Sequence, residues 1–330
     1  MKKILLCLLL FLAGLVAVLY RSDLSVEELA MRYATPDSRF MDLDSMRVHY
    51  RIEGNANDTV PLVLLHGTGS MLQTWDGWVK VLGPERRIIR LDLPGYALTG
   101  PHPQNRATSI YYADFLHRFL NRLGVNRCDL AGNSLGGNIA WHLTLIHPVQ
   151  VRSLVLIDAA GYPFTPKSVP FGFKLARLRG IGGLVANLTP DALFRSSLEN
   201  VYFADSLVTD PLVHTYADLN RRTGNRKNFV QRQPVLDSLW QRIRQIRQPT
   251  LIMWGQHDNL IPTTVADRFH RDLPNDTLIM YPNAGHVPME EIPRQTAHDY
   301  WRWTARLFST PKAPLASTAI TGRGRAETGR

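Results

Sequence analysis

Gly132-Asn133-Ser134-Leu135-Gly136 lies between an apolar run, Arg127-Cys128-Asp129-Leu130-Ala131, and a helix-like stretch, Gly137-Asn138-Ile139-Ala140-Trp141-His142-Leu143. A serine with glycine two residues away on each side, placed where a buried strand gives way to a helix, leaves few folds open. Such a turn lifts the serine Oγ out of the sheet and aims a fresh helix N-terminus at the reacting atom. The turn is so tight that a Cβ at either glycine position would clash. Taken alone, the five-residue pattern is equally a Gly/Ser turn without function.

Three further apolar runs end in residues that bear on acyl-transfer chemistry. Leu62-Val63-Leu64-Leu65 has the all-apolar character of a buried parallel strand and leads into His66-Gly67-Thr68-Gly69-Ser70. That glycine-rich turn leaves backbone N–H groups free to face an anion. Thr250-Leu251-Ile252-Met253-Trp254 leads into Gly255-Gln256-His257-Asp258, and Thr277-Leu278-Ile279-Met280-Tyr281 leads into Pro282-Asn283-Ala284-Gly285-His286. Ser134, Asp258 and His286 therefore follow one another in the order Ser, Asp, His, each just past the carboxyl end of an expected strand.

With Asp92-Leu93-Pro94-Gly95-Tyr96 as a further turn and Gly285-His286-Val287-Pro288-Met289-Glu290 as a histidine loop, the chain resembles the α/β-hydrolase fold family over about residues 40 to 309. The resemblance implies a mostly parallel eight-stranded sheet with helices on both faces. It implies Ser134 as nucleophile, His286 as the base that takes and returns its proton, and Asp258 as the acid that orients the imidazole. Asp158, at an earlier strand end, and His257 compete with Asp258 for that last role. The backbone N–H groups of Thr68 and Leu135 would form the oxyanion hole, with Gly69 as the alternative to Thr68. Serine at the elbow separates the chain from epoxide hydrolases and haloalkane dehalogenases of the family, which use aspartate there.

Within that family the reading favours carboxylic ester hydrolysis through an acyl-enzyme. The alternative is carbon–carbon bond hydrolysis of ring-cleavage products, because Gly132-Asn133-Ser134-x-Gly136-Gly137 is similar to the elbow of that group. Perhydrolase, amidase and lactonase activity stay open, as does a catalytically silent binding protein. His66 is assigned to packing under the oxyanion turn, Asp92 to holding its own turn by backbone hydrogen bonds, and Trp75 and Trp78 to the core rather than the pocket. Cys128 reads as a small core residue, and with Cys7 as its only companion no disulfide framework exists. Gly67-Thr68-Gly69 lacks the third glycine of a dinucleotide fingerprint, and neither a phosphate loop nor His-Glu-x-x-His nor paired Cys-x-x-Cys occurs. The expectation is no cofactor and no metal.

The chain is long enough, at 330 residues and 45% apolar, for one hydrolase core carrying an insertion. Met1-Lys2-Lys3 precedes an uncharged apolar run from Ile4 to Tyr20, then Arg21. That length, with no good small-x-small cleavage pattern, favours an uncleaved membrane anchor over a removed signal peptide. Lys2, Lys3 and the amino terminus favour N-inside, placing the catalytic domain on the periplasmic or extracytoplasmic side. The expected organisation is an anchor over 1–21, a juxtamembrane linker over 22–38 with a short helix around Val26, Leu29 and Ala30, and core over 39–160 and 248–309. A helical lid fills 161–247, with helices around Phe171–Leu178, Asp191–Leu198 and Pro211–Asn220, and a basic tail over 310–330 is expected to be disordered. The lid would roof a pocket at the strand ends, where ligands bind in open α/β sheets. Substrates would be small esters or lipid-like molecules.

The net charge of +10 is uneven, since residues 161–247 hold thirteen Lys or Arg against six Asp or Glu. Arg221-Arg222 and Arg226-Lys227 form the densest group. A solvated basic face is favoured over a surface for anionic lipid. No nucleic-acid-binding signature accompanies the charge, so nucleic acid is excluded as a partner.

Overall fold

The computed structural model describes residues 1–176, 187–231 and 237–308. Its strands are β1 (Ser38–Leu43), β2 (Met46–Gly54), β3 (Leu62–Leu65), β4 (Arg87–Leu91), β5 (Cys128–Asn133), β6 (Val151–Ile157), β7 (Thr250–Gly255) and β8 (Asp276–Tyr281). They form one eight-stranded sheet in the order β1-β2-β4-β3-β5-β6-β7-β8. β2 runs antiparallel to β1 and β4, and every other pair is parallel.

The all-apolar runs exist because both faces of this sheet are covered. Side chains alternate across a strand, so Val63, Leu65, Ile89, Leu130, Leu154 and Ile252 enter one core while Leu62, Leu64, Ile88, Ala131, Val155 and Leu251 enter the other. The first core is closed by α4 (Ser109–Arg122), α5 (Leu135–Ile146) and α10 (Thr263–Asp272), the second by α3 (Asp76–Leu82) and α12 (Pro293–Phe308). On α4, Phe115, Leu116, Phe119 and Leu120 are fully buried at i, i+1, i+4 and i+5, each stabilising by about 1.5–3 kcal/mol. Thr108 caps that helix by accepting from Tyr111 N at 3.1 Å, and Gly124, at φ +70°, follows its end. Trp75 and Trp78 are completely buried and meet edge to face at 5.3 Å, in keeping with a core role. Cys128 is buried too, which pushes its thiol well above the ordinary range.

Between β6 and β7 the sheet pattern gives way to helices: α6 (Phe171–Ala176), α7 (Asp191–Val201), α8 (Asp210–Asn220) and α9 (Asn225–Gln231), then a 3-10 segment over Ser238–Gln245. The expected helix around Phe171–Leu178 lies partly, and the tail over 310–330 wholly, outside the described residues. α9 and the 3-10 segment carry too many polar residues for periodicity to reveal them.

At the N-terminus, α1 (Lys2–Leu19) is an 18-residue helix with mean hydropathy 2.4 and none of it buried in the protein. α2 (Val26–Tyr33) is capped by Ser25, whose hydroxyl accepts from Glu28 N in a Ser-x-x-Glu arrangement. The segment joining α1 to the core is packed rather than a free tether. Leu29 is fully buried, Leu24 forms a parallel bridge with Arg222, and Tyr33 and Arg32 both bond Asp218 on α8. Arg226 bonds Asp23 and the Arg21 carbonyl and is only 7% exposed, while Arg221 Nε donates to Ser22 O. Arg221 and Arg226 of the densest basic group are therefore taken up by the N-terminal segment, while Lys227 stays exposed. Charge counting could not show this, because the acid that pairs with Arg226 lies 203 residues away.

Candidate functional site

β5 ends at Asn133 and α5 begins at Leu135, so Ser134 alone makes the corner, at φ 54° and ψ −113°. That backbone conformation is rare for a residue with a Cβ and persists because the surroundings fix it. A Cβ on Gly132 would lie 2.2 Å from the Gly136 carbonyl carbon, and one on Gly136 would lie 2.2 Å from Leu65 O. Both glycines are thus required by close backbone approach. Asn133 Nδ2 donates to Ile157 O at 3.2 Å and to His286 O at 2.9 Å, tying the elbow to β6 and to the histidine loop.

The imidazole of His286 turns its Nδ1 to Asp258 Oδ2 at 2.7 Å. Asp258 is completely buried, and its other oxygen accepts from Leu260 N at 2.7 Å and Ile261 N at 2.9 Å. The carboxylate thus accepts three hydrogen bonds. Backbone bonds fix the histidine loop on both sides: His286 N donates to Val201 O at the end of α7, and Gly285 N donates to Glu291 Oε1. Neither Ser134 Oγ nor His286 Nε2 has a hydrogen-bond partner among the described residues, and both side chains keep slight exposure, 8% and 4% by residue. Hydrogen bonds of this kind commonly tighten only around substrate. His257 lies elsewhere, stacked on Phe203 at 4.2 Å. Asp158 is beside the pair, with ligating atoms of Asp158, Asp258 and His286 all within 4.8 Å of one another.

The first turn supplies the facing wall. Thr68 and Gly69 line a cavity of about 150 Å³, and the N–H groups of Thr68 and Leu135 donate to nothing among the described residues. His66 lies under this turn, fully buried, with Nδ1 bonded to Gly67 O and Nε2 accepting from Leu93 N at 2.9 Å. Burial holds it below the ordinary imidazole range, so it is neutral. Asp92 bonds more widely than its own turn: it accepts from Leu72 N, Leu98 N and His49 Nδ1. Burial would raise its carboxyl, but His49 outweighs that and holds it low.

The helices between β6 and β7 build the rest of the cavity, chiefly Phe173, Leu193, Phe194, Leu198, Val201 and Phe229. Its polar fringe is sparse. The one cationic side chain among the described lining residues is Arg226, engaged by Asp23, Arg21 O and Thr189 Oγ1.

Sequence reasoning missed the polar centre that ties the helices between β6 and β7 to the core. Glu290 is half-buried on α11 (Pro288–Glu291) and accepts from the hydroxyls of Thr74, Tyr202 and Tyr216, the last at 2.8 Å. Tyr216 also lies 3.2 Å from Ser70 Oγ, next to the oxyanion turn. Burial pushes Glu290 above the ordinary carboxyl range, the hydroxyls opposing it. An acid four residues past the histidine was the available signal, but in a short helix it reads as a favourable first-turn charge.

A family model for the alpha/beta hydrolase fold matches residues 60–293. The chain is 30% identical over 253 residues to 2-hydroxy-6-oxononadienedioate/2-hydroxy-6-oxononatrienedioate hydrolase 2 of Pseudomonas putida, covering 73% of this chain and 85% of that one. Among solved structures it is similar to a membrane phospholipase A described as a bacterial virulence factor, at 27% identity and TM-score 0.68, covering 94% of this chain and all of the other. A meta-cleavage product hydrolase from Pseudomonas fluorescens IP01 superposes with TM-score 0.70 over 82% of this chain and 98% of its own; at 20% identity it supports the fold alone.

Proposed function

The chain belongs to the α/β-hydrolase fold family and is a hydrolase, and from that premise we propose that it cleaves carboxylic esters carrying an apolar chain through a covalent intermediate on Ser134. Ser134 Oγ attacks the ester carbonyl while His286 Nε2 takes its proton. The carbonyl oxygen becomes an oxyanion between the N–H groups of Thr68 and Leu135, each such donor contributing about 3 kcal/mol to the barrier reduction. His286 returns the proton to the departing alkoxide, leaving the acyl group on Ser134. Water then attacks the acyl carbon with His286 as base, releasing the acid and restoring the serine. Asp258 holds the imidazole with Nδ1–H facing it and stabilises the imidazolium.

The observation that carries this reading is the 2.7 Å His286–Asp258 bond together with a serine held at positive φ, while Thr68 and Gly69 of the oxyanion turn line an apolar cavity whose described cation is already neutralised. Such a cavity suits a neutral acyl chain and gives a free carboxylate no partner. The likeness to a membrane phospholipase A along 94% of the chain supports the same reading, and with it α1 as an anchor placing the catalytic domain outside the cytoplasmic membrane. The domain limits proposed are anchor 1–21, docked segment 22–38, core 39–160 and 248–309, and lid 161–247.

A second reading, carbon–carbon bond hydrolysis of ring-cleavage dienones, is favoured over the first by the curated relatives taken alone. Both begin with the same machinery. A series of nitrophenyl esters of increasing chain length, run beside a ring-cleavage dienone, separates them, with fluorophosphonate labelling as the control for the nucleophile. Ester turnover that rises with chain length and vanishes in Ser134→Ala supports the proposal. Turnover of the dienone alone replaces it with the second reading, and a wild-type protein that resists the label refutes both.

A further inference from the structure

Asp158 is the residue directly after β6, and its side chain enters the acid loop that follows β7. It is fully buried, at φ +43°. Its Oδ1 accepts from Gly255 N at 3.0 Å, while its Oδ2 is sealed from solvent without a donor. What lies against it is the Asp258 carboxylate. The other titratable groups that act on it are His286, Glu291 on α11 and Tyr281 at the end of β8, and no lysine or arginine pairs with it among the described residues.

Two carboxylates this close and this dry do not both carry charge. The donors decide which one does. Asp258 receives three hydrogen bonds, two from backbone and one from the imidazole, whereas Asp158 receives one. The negative charge therefore rests on Asp258, and a hydrogen bond between two carboxyl groups requires a proton on the other. We propose that Asp158 is a neutral carboxylic acid whose O–H donates to the Asp258 carboxylate, making it a positioning residue for the Asp258–His286 pair. This inference rests on the reading of that pair given above. Burial first, and then the charge of Asp258, push the Asp158 carboxyl well above the ordinary range, in the same direction as the geometry. The proton satisfies the sealed oxygen and gives Asp258 a fourth donor, so the carboxylate that orients the imidazole is held from both sides. It also keeps a second full negative charge away from the imidazole.

The test uses the full-length protein. Asp158→Asn keeps an N–H donor for Asp258 and an acceptor for Gly255 N. We expect kcat/KM within about threefold of wild type and the acid limb of its pH profile unmoved. Asp158→Ala removes the donor, and kcat should fall by about tenfold or more with KM little changed and the acid limb displaced upward. Were Asp158 ionised, the Asn variant would remove a negative charge beside the imidazole, and the acid limb would move down by about one pH unit or more. That result overturns the proposal. A readout independent of activity is the carboxyl carbon spectrum of wild-type protein labelled with 13C-aspartate. One protonated aspartic acid should persist at neutral pH, since the other buried aspartates Asp92 and Asp129 are held low against burial by His49 and by Arg152 and Arg86 respectively. Its absence refutes the proposal whether or not Ser134 is the nucleophile. An unlabelled Ser134 with that signal present refutes the catalytic reading and leaves the shared proton standing.

Discussion

Removing one hydroxyl from Tyr216 or from Tyr202 should separate stability from catalysis at the lid. Both phenols donate to Glu290, which is half-buried and whose other side-chain donor among the described residues is Thr74. Above the pH at which Glu290 ionises, each lost bond costs about 1.5–3 kcal/mol, the worth of a hydrogen bond to a charged group. For a domain of this size about 2 kcal/mol corresponds to a fall in Tm of roughly 3–4 °C. Tyr202→Phe and Tyr216→Phe should lose similar stability, and the double variant more than their sum, because it leaves one hydroxyl facing the charge. Catalysis should distinguish them. Only Tyr216 continues to Ser70 Oγ, and Ser70 N closes the oxyanion turn on Gly67 O at 3.3 Å. Tyr216→Phe should therefore lower kcat for a nitrophenyl ester by about tenfold, a loosened oxyanion turn being worth part of one donor, while Tyr202→Phe leaves kcat within about twofold. Urea midpoints followed by circular dichroism and steady-state kinetics on the same samples supply both numbers. Two variants each within 0.5 kcal/mol of wild type, or equal losses of kcat, would refute the clamp as argued.

Glu290 also predicts how stability varies with pH. Its folded carboxyl lies above the unfolded value near 4.5, so the stability it contributes is fully present below that value and is lost as pH rises through the folded one. Glu290→Gln should gain on wild type with rising pH, by at most about 1.4 kcal/mol per unit, and a gap between their urea midpoints that stays constant from pH 4 to 8 would contradict this. Dialysis against a chelator should leave kcat within twofold, because the His286 nitrogen nearest the two acids is already bonded to Asp258. A large loss restored by zinc would show that the three residues hold a metal.

The parts of the site legible in the sequence are those fixed by local backbone geometry. Gly132 and Gly136 are forced by contacts with Gly136 and Leu65 backbone, and those contacts exist wherever a strand turns this sharply into a helix. The strands were legible because both sheet faces are covered, which makes β3 and residues 154–157 of β6 uniformly apolar. What local pattern could not supply were pairings between distant segments. Asp158 looked like a rival to Asp258 because each follows a strand, and only the adjacency of β6 and β7 brings them together. Glu290 carries no pattern linking it to Tyr202 and Tyr216, and Asp23 none linking it to Arg226, since these contacts depend on where the lid lies.

That last pair shows how a segment outside the core sets what the cavity accepts. Arg226 lines the apolar cavity, yet its guanidinium is held by Asp23, whose side chain is 35% exposed, and by Arg21 O. The docked N-terminal segment thus withdraws from the pocket the charge that a dienoate or other carboxylate would need. Asp23→Ala should return it. Removing one partner of a buried pair typically costs 3–5 kcal/mol; with Asp23 partly solvated and two further acceptors retained, about 1–2 kcal/mol is expected. An anionic substrate that regains about 1.4 kcal/mol of that gains tenfold in kcat/KM. The measurement is the ratio of kcat/KM for two esters of equal length, one ending in a methyl group and one in a carboxylate, in wild type and in Asp23→Ala. A ratio shifted tenfold toward the acid places substrate charge selection in the 21–34 segment. An unchanged ratio, with the variant folded, would mean that Arg226 does not reach the substrate and that residues elsewhere in the lid decide between neutral and anionic chains.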